Sequence, residues 1–166
     1  DKKLSYEVLG IKKDARVRIF NNDKNLGELE NMNFLLTLAK GHYFTWQFDD
    51  DPCSELFLSE MANAALNFGS PDSIFSNFET IYGGGSKRRK CSKGGQLESY
   101  SGPEFVRKYL HNDIKALGCC GFYKLDFLKA LGGVTRLSEG PMALFSEFFL
   151  LVSQVSAKRV VYINTP

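Results

Sequence analysis

Three consecutive carboxylates, Asp49, Asp50 and Asp51, follow the apolar segment HYFTWQF (42–48). In open α/β sheets, ligands collect beyond the carboxyl ends of the strands, and the aspartates stand at that end of a predicted strand. Adjacent carboxylates repel one another, and a divalent cation relieves the repulsion. Mg²⁺ and Mn²⁺ take carboxylate oxygens together with water and substrate phosphate. The cluster therefore predicts a site for a metal and a diphosphate, with a solvated acidic loop that caps the next helix as the alternative.

Alternating helix-like and strand-like segments indicate the elements that must position these carboxylates. Their order predicts an α/β fold with a mainly parallel sheet flanked by helices. Residues 15–20 (ARVRIF) alternate apolar and basic side chains, as a strand does, and a helical apolar stripe runs from Leu29 to Ala39. The other predicted elements are a helix after Ser54 that ends near Phe68, a strand over 74–82, a helix after Ser101, a short strand and helix over 119–133, a helix over 144–156 and a strand over 158–163.

Length and composition favour one compact domain over residues 1–166. The chain is 43% hydrophobic and 24% charged, which is typical of a globular protein. A net charge of +2 is too small to indicate a nucleic-acid partner. The four cysteines form no CxxC pair, so reduced thiols in the cytoplasm are expected rather than a zinc site. Apolar runs are shorter than the ~20 residues that cross a bilayer, which favours a soluble protein.

The segment GGGSKRRKCSKGG (83–95) combines glycines with basic residues and has no periodic apolar face. This composition predicts a flexible basic surface loop. Two functional alternatives stay open for its cations, namely a lid over donor phosphates and a contact with an anionic membrane surface. A nucleic-acid contact is ranked last because no aromatic stacking platform accompanies the basic run.

Residues 16–51 closely resemble the family 2 glycosyltransferases of the GT-A fold. The shared pattern is an Asn-x-Gly turn, an asparagine on the next helix, an Ala-x-Gly stop and a strand that ends in aspartates; here it comprises Asn25, Gly27, Asn33, Ala39, Gly41 and the aspartate cluster. Downstream, SGPEFVRKYLHNDIKALGCCGFYKLDFLKALGGV (101–134) resembles the family's segment that leads to a strand and helix with the pattern gmFRr…lGGf. The segment SEFFLL (146–151) lies where an ED…L motif is usual.

The resemblance implies a GT-A-like, Rossmann-like fold and the transfer of a sugar from a nucleotide donor, UDP-linked or similar, to a hydroxyl of a glycan or lipid-linked acceptor. It implies Mn²⁺ or Mg²⁺ on the donor diphosphate. Asp49 and Asp51 form the DxD-like pair, with Asp51 as the first choice of metal ligand and Asp50 facing sugar or ribose hydroxyls. Asn25 and Asn33 are the other implied donor contacts.

The resemblance also implies inversion of the sugar, with Glu147 as the base that removes the acceptor proton. Glu147 stands where Asp is commoner in the family, and Ser146 stands where many relatives carry Glu. A solvated glutamate favoured by the helix dipole is the alternative.

The family's amino-terminal strands, which bind the nucleotide base and ribose, are not matched before Asp1, so a fold truncated at the amino terminus is expected. A non-catalytic binding or scaffold domain derived from that fold is therefore the alternative function. Family habit places such an enzyme in the cytoplasm, with peripheral contact to the inner face of the membrane.

Overall fold

The computed structural model describes residues 3–81, 88–90, 97–118, 120–136 and 146–164. Within these ranges the chain forms a five-stranded sheet in the order β1-β6-β2-β7-β5 and a separate two-stranded sheet of β3 and β4. The strands are β1 (Tyr43–Phe44), β2 (Ser73–Ser76), β3 (Glu79–Ile81), β4 (Arg88–Lys90), β5 (Leu97–Tyr100), β6 (Gly121–Lys124) and β7 (Val160–Ile163).

The larger sheet is mixed and mostly antiparallel. Strand β2 pairs with β7 in parallel, whereas the pairs β1–β6, β2–β6 and β5–β7 are antiparallel. The α/β class is confirmed, but the prediction of a mainly parallel sheet is wrong. A strand that is buried on both faces has the same apolar pattern in either direction. Its direction is set by the connections and neighbours that fold beside it, which periodicity does not encode.

Five helices and one 3₁₀ turn complete the described part of the chain, and the predicted helices are confirmed. Apolar side chains at helical spacing produce each of them because one stripe can then be buried. They are α1 (Gly27–Leu38), α2 (Phe57–Asn67), α3 (Gly102–Leu110), α4 (Leu125–Ala130) and α5 (Ser146–Val152), with the 3₁₀ turn over Ser153–Ser156.

The helices cover both faces of the five-stranded sheet. Consecutive strand residues face opposite sides, so Ile74 packs into a cluster with α2, whereas Phe75 packs into a larger cluster with the other helices. All four residues of β7 are buried. Burial on both faces explains why this strand is continuously apolar in sequence.

Residues 15–20, which the alternating pattern predicts as a strand, form a turn and irregular backbone. Val17 and Phe20 are 39% and 40% exposed, and Arg18 donates a hydrogen bond to the Leu38 carbonyl at the end of α1 (2.8 Å). A strand requires a neighbouring strand to pair its backbone groups, and no described strand lies beside this segment. The alternation alone therefore gave the wrong element.

Three other predicted segments differ in extent from the structure. The predicted strand over 74–82 is divided into β2 and β3, which belong to different sheets. The predicted strand over 42–48 is paired only at Tyr43–Phe44, although the chain continues toward the aspartates. The predicted loop over 83–95 contains β4, whose residues 88–90 pair antiparallel with β3. The rest of that predicted loop lies outside the described residues.

Candidate functional site

Trp46 anchors the segment that leads from β1 to the aspartates. Its side chain is 6% exposed, and its ring meets that of Phe44 edge to face with the centroids 4.7 Å apart. The indole Nε1–H donates a hydrogen bond to the carbonyl oxygen of Met32 in α1 (3.3 Å). A buried indole with a satisfied N–H has few alternative positions, so this contact fixes the chain three residues before Asp49.

Asp49, Asp50 and Asp51 follow this anchor, and all are exposed. The carboxamide of Gln47 donates a hydrogen bond to the backbone carbonyl of Asp51 and so closes a local turn. No described residue donates a hydrogen bond to the three carboxylates. Their oxygens are consequently accessible to a ligand from solvent.

The segment that carries the aspartates leaves β1 at the edge of the sheet where several strands end. Because β6 is antiparallel to both β1 and β2, and β2 is parallel to β7, the carboxyl ends of β1, β2 and β7 share one edge. Asn77 follows β2 at this edge and donates its backbone N–H to the Ile163 carbonyl (2.9 Å), and Asn164 follows β7. Sequence reasoning missed both asparagines, although a polar residue directly after an apolar strand is the signal that could have found them.

The two asparagines that the resemblance implies as donor contacts have clear structural partners. The side-chain oxygen of Asn25 accepts a hydrogen bond from the Gly27 N–H (2.8 Å), in a turn that requires a positive φ of 73° at Gly27. The carboxamide of Asn33 pairs with the backbone of Val134, donating to its carbonyl and accepting from its N–H, each at 2.8 Å. Both side chains support backbone conformation, and their contact with a donor stays a prediction.

Glu147 is the second residue of α5, as the predicted helix required. Its side chain lies outside the described residues. The three aspartates are adjacent in sequence and exposed, and the position of the glutamate carboxylate relative to them stays a prediction.

A second group of ionisable side chains lies on β5, at the opposite edge of the five-stranded sheet from β1. The Tyr100 hydroxyl donates a hydrogen bond to the Glu98 carboxylate, and the Lys108 Nζ lies 5.4 Å from the centre of the tyrosine ring. Burial raises the pKa of Tyr100, and the neighbouring Glu98 raises it further. A neutral phenol that donates to a carboxylate resists ionisation, so this group holds its proton.

Within the described residues, no group of three or more His, Cys, Asp and Glu side chains is arranged to hold a metal ion. The predicted site needs only one or two protein carboxylates, because water and phosphate oxygens complete the shell of Mg²⁺ or Mn²⁺. Exposed, unpaired carboxylate oxygens fit that donor set. No helix in the same part of the chain is both long and apolar enough to cross a membrane.

No protein-family model matches the sequence, and comparison with curated proteins finds no related chain. Any functional assignment therefore depends on the residues themselves. The fold that carries these residues is a mixed α/β sheet with helices on both faces.

Proposed function

We propose that this chain is a divalent-metal-dependent glycosyltransferase domain of the GT-A type that uses a nucleotide-activated sugar. The observation that carries the proposal is the exposed trio Asp49–Asp51, in the segment that leaves the half-buried strand β1 at the edge where the carboxyl ends of β1, β2 and β7 meet. Ligands of open α/β sheets collect at such an edge. The resemblance over residues 16–51 supplies the reaction class.

In this proposal Asp51 and Asp49 hold Mn²⁺ or Mg²⁺, and Asp50 faces hydroxyl groups of the donor. Rupture of the sugar–phosphate bond leaves negative charge on the diphosphate, and a bound divalent cation stabilises such charge as it develops. The protein positions the aspartates, because the hydrogen bond of Trp46 with Met32 fixes the chain three residues before Asp49. Glu147 is the proposed base for the acceptor hydroxyl.

Thermal unfolding with Mn²⁺ and UDP tests the proposal. A ligand at 100 times its Kd that binds only the folded state stabilises it by about 2.7 kcal/mol, which raises the Tm of a domain this size by roughly 5 to 10 °C. We expect this rise only when metal and nucleotide are both present. Asp51→Ala should abolish it.

Glu55→Ala is the matched control, since Glu55 is an exposed acidic residue four positions from Asp51. It should keep the full rise in Tm. If the unmodified chain shows no metal-dependent rise with any nucleotide, the enzyme proposal fails and a non-catalytic binding domain becomes the better explanation. A similar loss in both variants would instead indicate a general effect of negative charge.

A further inference from the structure

Two adjacent residues of α1 hold two segments that are far apart in sequence. Met32 accepts the indole hydrogen bond of Trp46, in the segment that carries the aspartates (3.3 Å). Asn33 forms its paired hydrogen bonds with Val134, in the turn after α4 (2.8 Å each). The approach to the aspartates and the turn after α4 therefore share one attachment point on α1.

The contact between Asn33 and the turn is tight. Val134 is 2% exposed, so its N–H and carbonyl groups have little access to water. Gly133 has a φ of 81°, and a Cβ added there would lie 2.4 Å from the side-chain oxygen of Asn33 and 3.3 Å from Leu36 Cδ2. Loss of the carboxamide would leave two buried backbone groups unpaired, which costs more than the net worth of the hydrogen bonds.

We propose that Asn33 is a positioning residue for the segment that carries Asp49, Asp50 and Asp51. The carboxamide keeps α1 at a fixed distance from the turn at Gly133–Val134, and this holds the Met32 carbonyl in reach of Trp46 and so sets the place of Asp49. The resemblance implies direct contact of Asn33 with the donor. Since its oxygen and one of its N–H groups are already bonded to Val134, the geometry favours action through the backbone.

Trp46 is the only tryptophan of the chain, so its fluorescence reports this junction alone. We expect Asn33→Ala to shift its emission to longer wavelength and to increase quenching by acrylamide, at a temperature where circular dichroism shows the variant folded. Asn31→Ala is the matched control, because it makes the same change on the same helix and removes only a contact with Asn22 (2.9 Å). It should leave the emission unchanged.

A second pair of variants disturbs the same contact from the opposite side and leaves α1 unaltered. Gly133→Ala places its Cβ against Asn33, whereas Gly132→Ala has the same kind of positive φ, 84°, with nothing within 4 Å of its Cβ. Both variants carry the strain of a left-handed backbone. Only Gly133→Ala should reproduce the change at Trp46.

The consequence for the ligand rests on the proposed function and is measured separately. We expect Asn33→Ala and Gly133→Ala to weaken binding of Mn²⁺ with UDP by roughly tenfold or more, the effect usual for residues that support a metal site. Asn31→Ala and Gly132→Ala should bind as the unmodified chain does. If the unmodified chain does not bind Mn²⁺ with UDP, the proposed function fails. The fluorescence of Trp46 then tests by itself whether Asn33 acts on the aspartate segment.

Three results would overturn the inference. The first is unchanged Trp46 fluorescence in both Asn33→Ala and Gly133→Ala, which would confine Asn33 to holding the turn. The second is an equal change in the control variants. The third is weaker nucleotide binding without any change at Trp46, which would make Asn33 a direct donor contact.

Discussion

Tyr123 lies on β6 and the aspartate segment follows its neighbour β1, yet the side chains of the two regions are held in opposite ways. Tyr123 is fully buried, its ring meets those of Trp46 and Phe75 with centroids 6.1 and 5.6 Å apart, and its hydroxyl donates to the Gly118 carbonyl (2.6 Å). The carboxylates of Asp49–Asp51 are exposed, and no described residue bonds to them. Packing and a hydrogen bond hold the Tyr123 side chain in one position, whereas the carboxylate oxygens of the aspartates are accessible to a ligand. Substitutions should therefore separate stability from ligand binding.

The largest effect on stability is expected in the aromatic core. Phe105 is fully buried and stacks on Phe75 with centroids 5.0 Å apart. Phe105→Ala should lower the free energy of unfolding by about 3 to 5 kcal/mol, because it removes apolar contact and leaves a cavity. Leu110→Ala, on the same helix but 59% exposed, is the control and should cost less than about 0.5 kcal/mol. Urea unfolding measures both, and equal costs would contradict the assignment of Phe105 to the core.

Overpacking at Gly121 should have the next largest effect. A Cβ there would lie 2.3 to 2.5 Å from ring atoms of Tyr123, at a buried position of β6. We expect Gly121→Ala to destabilise the protein by about 1 to 3 kcal/mol, since the tyrosine ring must move from its packed position. In a Tyr123→Leu background the same change should cost much less, and a double-mutant cycle measures the difference. Additive costs would show that the ring is not the obstacle.

The helices were predictable because each depends on local spacing of apolar residues. The confirmed example is α1, where Met32 and Leu36 repeat at helical spacing and are both buried. The direction of strands and the state of residues 15–20 were not predictable. Both depend on which distant segments come to lie side by side, and a single alternating segment carries no record of its partner.

The candidate site likewise combines local features, which were predictable from sequence, with a long-range contact, which was not. The aspartates could be recognised from sequence as candidate ligands because their residue type and the apolar segment before them are local features. The hydrogen bond of Asn33 with Val134, 101 residues away, exists only in the folded chain. The sequence pattern singled out Asn33 without indicating which residue it contacts.

A smaller effect on stability is expected at the ionisable group on β5, where the folded chain keeps the Tyr100 hydroxyl protonated. Burial and the Glu98 hydrogen bond raise the pKa of Tyr100 above its unfolded value near 10. The resulting stability is present below that pH and is lost as the pH rises above it, because the unfolded chain then releases a proton that the folded chain retains. Urea unfolding between about pH 8 and 11.5 should show a steeper loss for the unmodified chain than for Tyr100→Phe.

Glu98→Gln sharpens this test. It removes the carboxylate that accepts the tyrosine hydrogen bond, so the loss of stability at high pH should lie between those of the unmodified chain and Tyr100→Phe. Identical pH dependence in all three proteins would mean that the tyrosine ionises equally in the folded and unfolded chains.

The smallest effect on stability is expected at the aspartates themselves. Asp49→Asn, Asp50→Asn and Asp51→Asn should each change the free energy of unfolding by less than about 0.5 kcal/mol without ligand, because the side chains are exposed. If the free energy of unfolding changes, it should rise, because each variant removes repulsion between neighbouring charges. The rise should become smaller as salt is added. A loss above about 1 kcal/mol in urea unfolding would show that the carboxylates hold the chain together. Unchanged stability, combined with the loss of the Mn²⁺ and UDP effect in Asp51→Ala, would mean that the fold maintains these charges for a ligand alone.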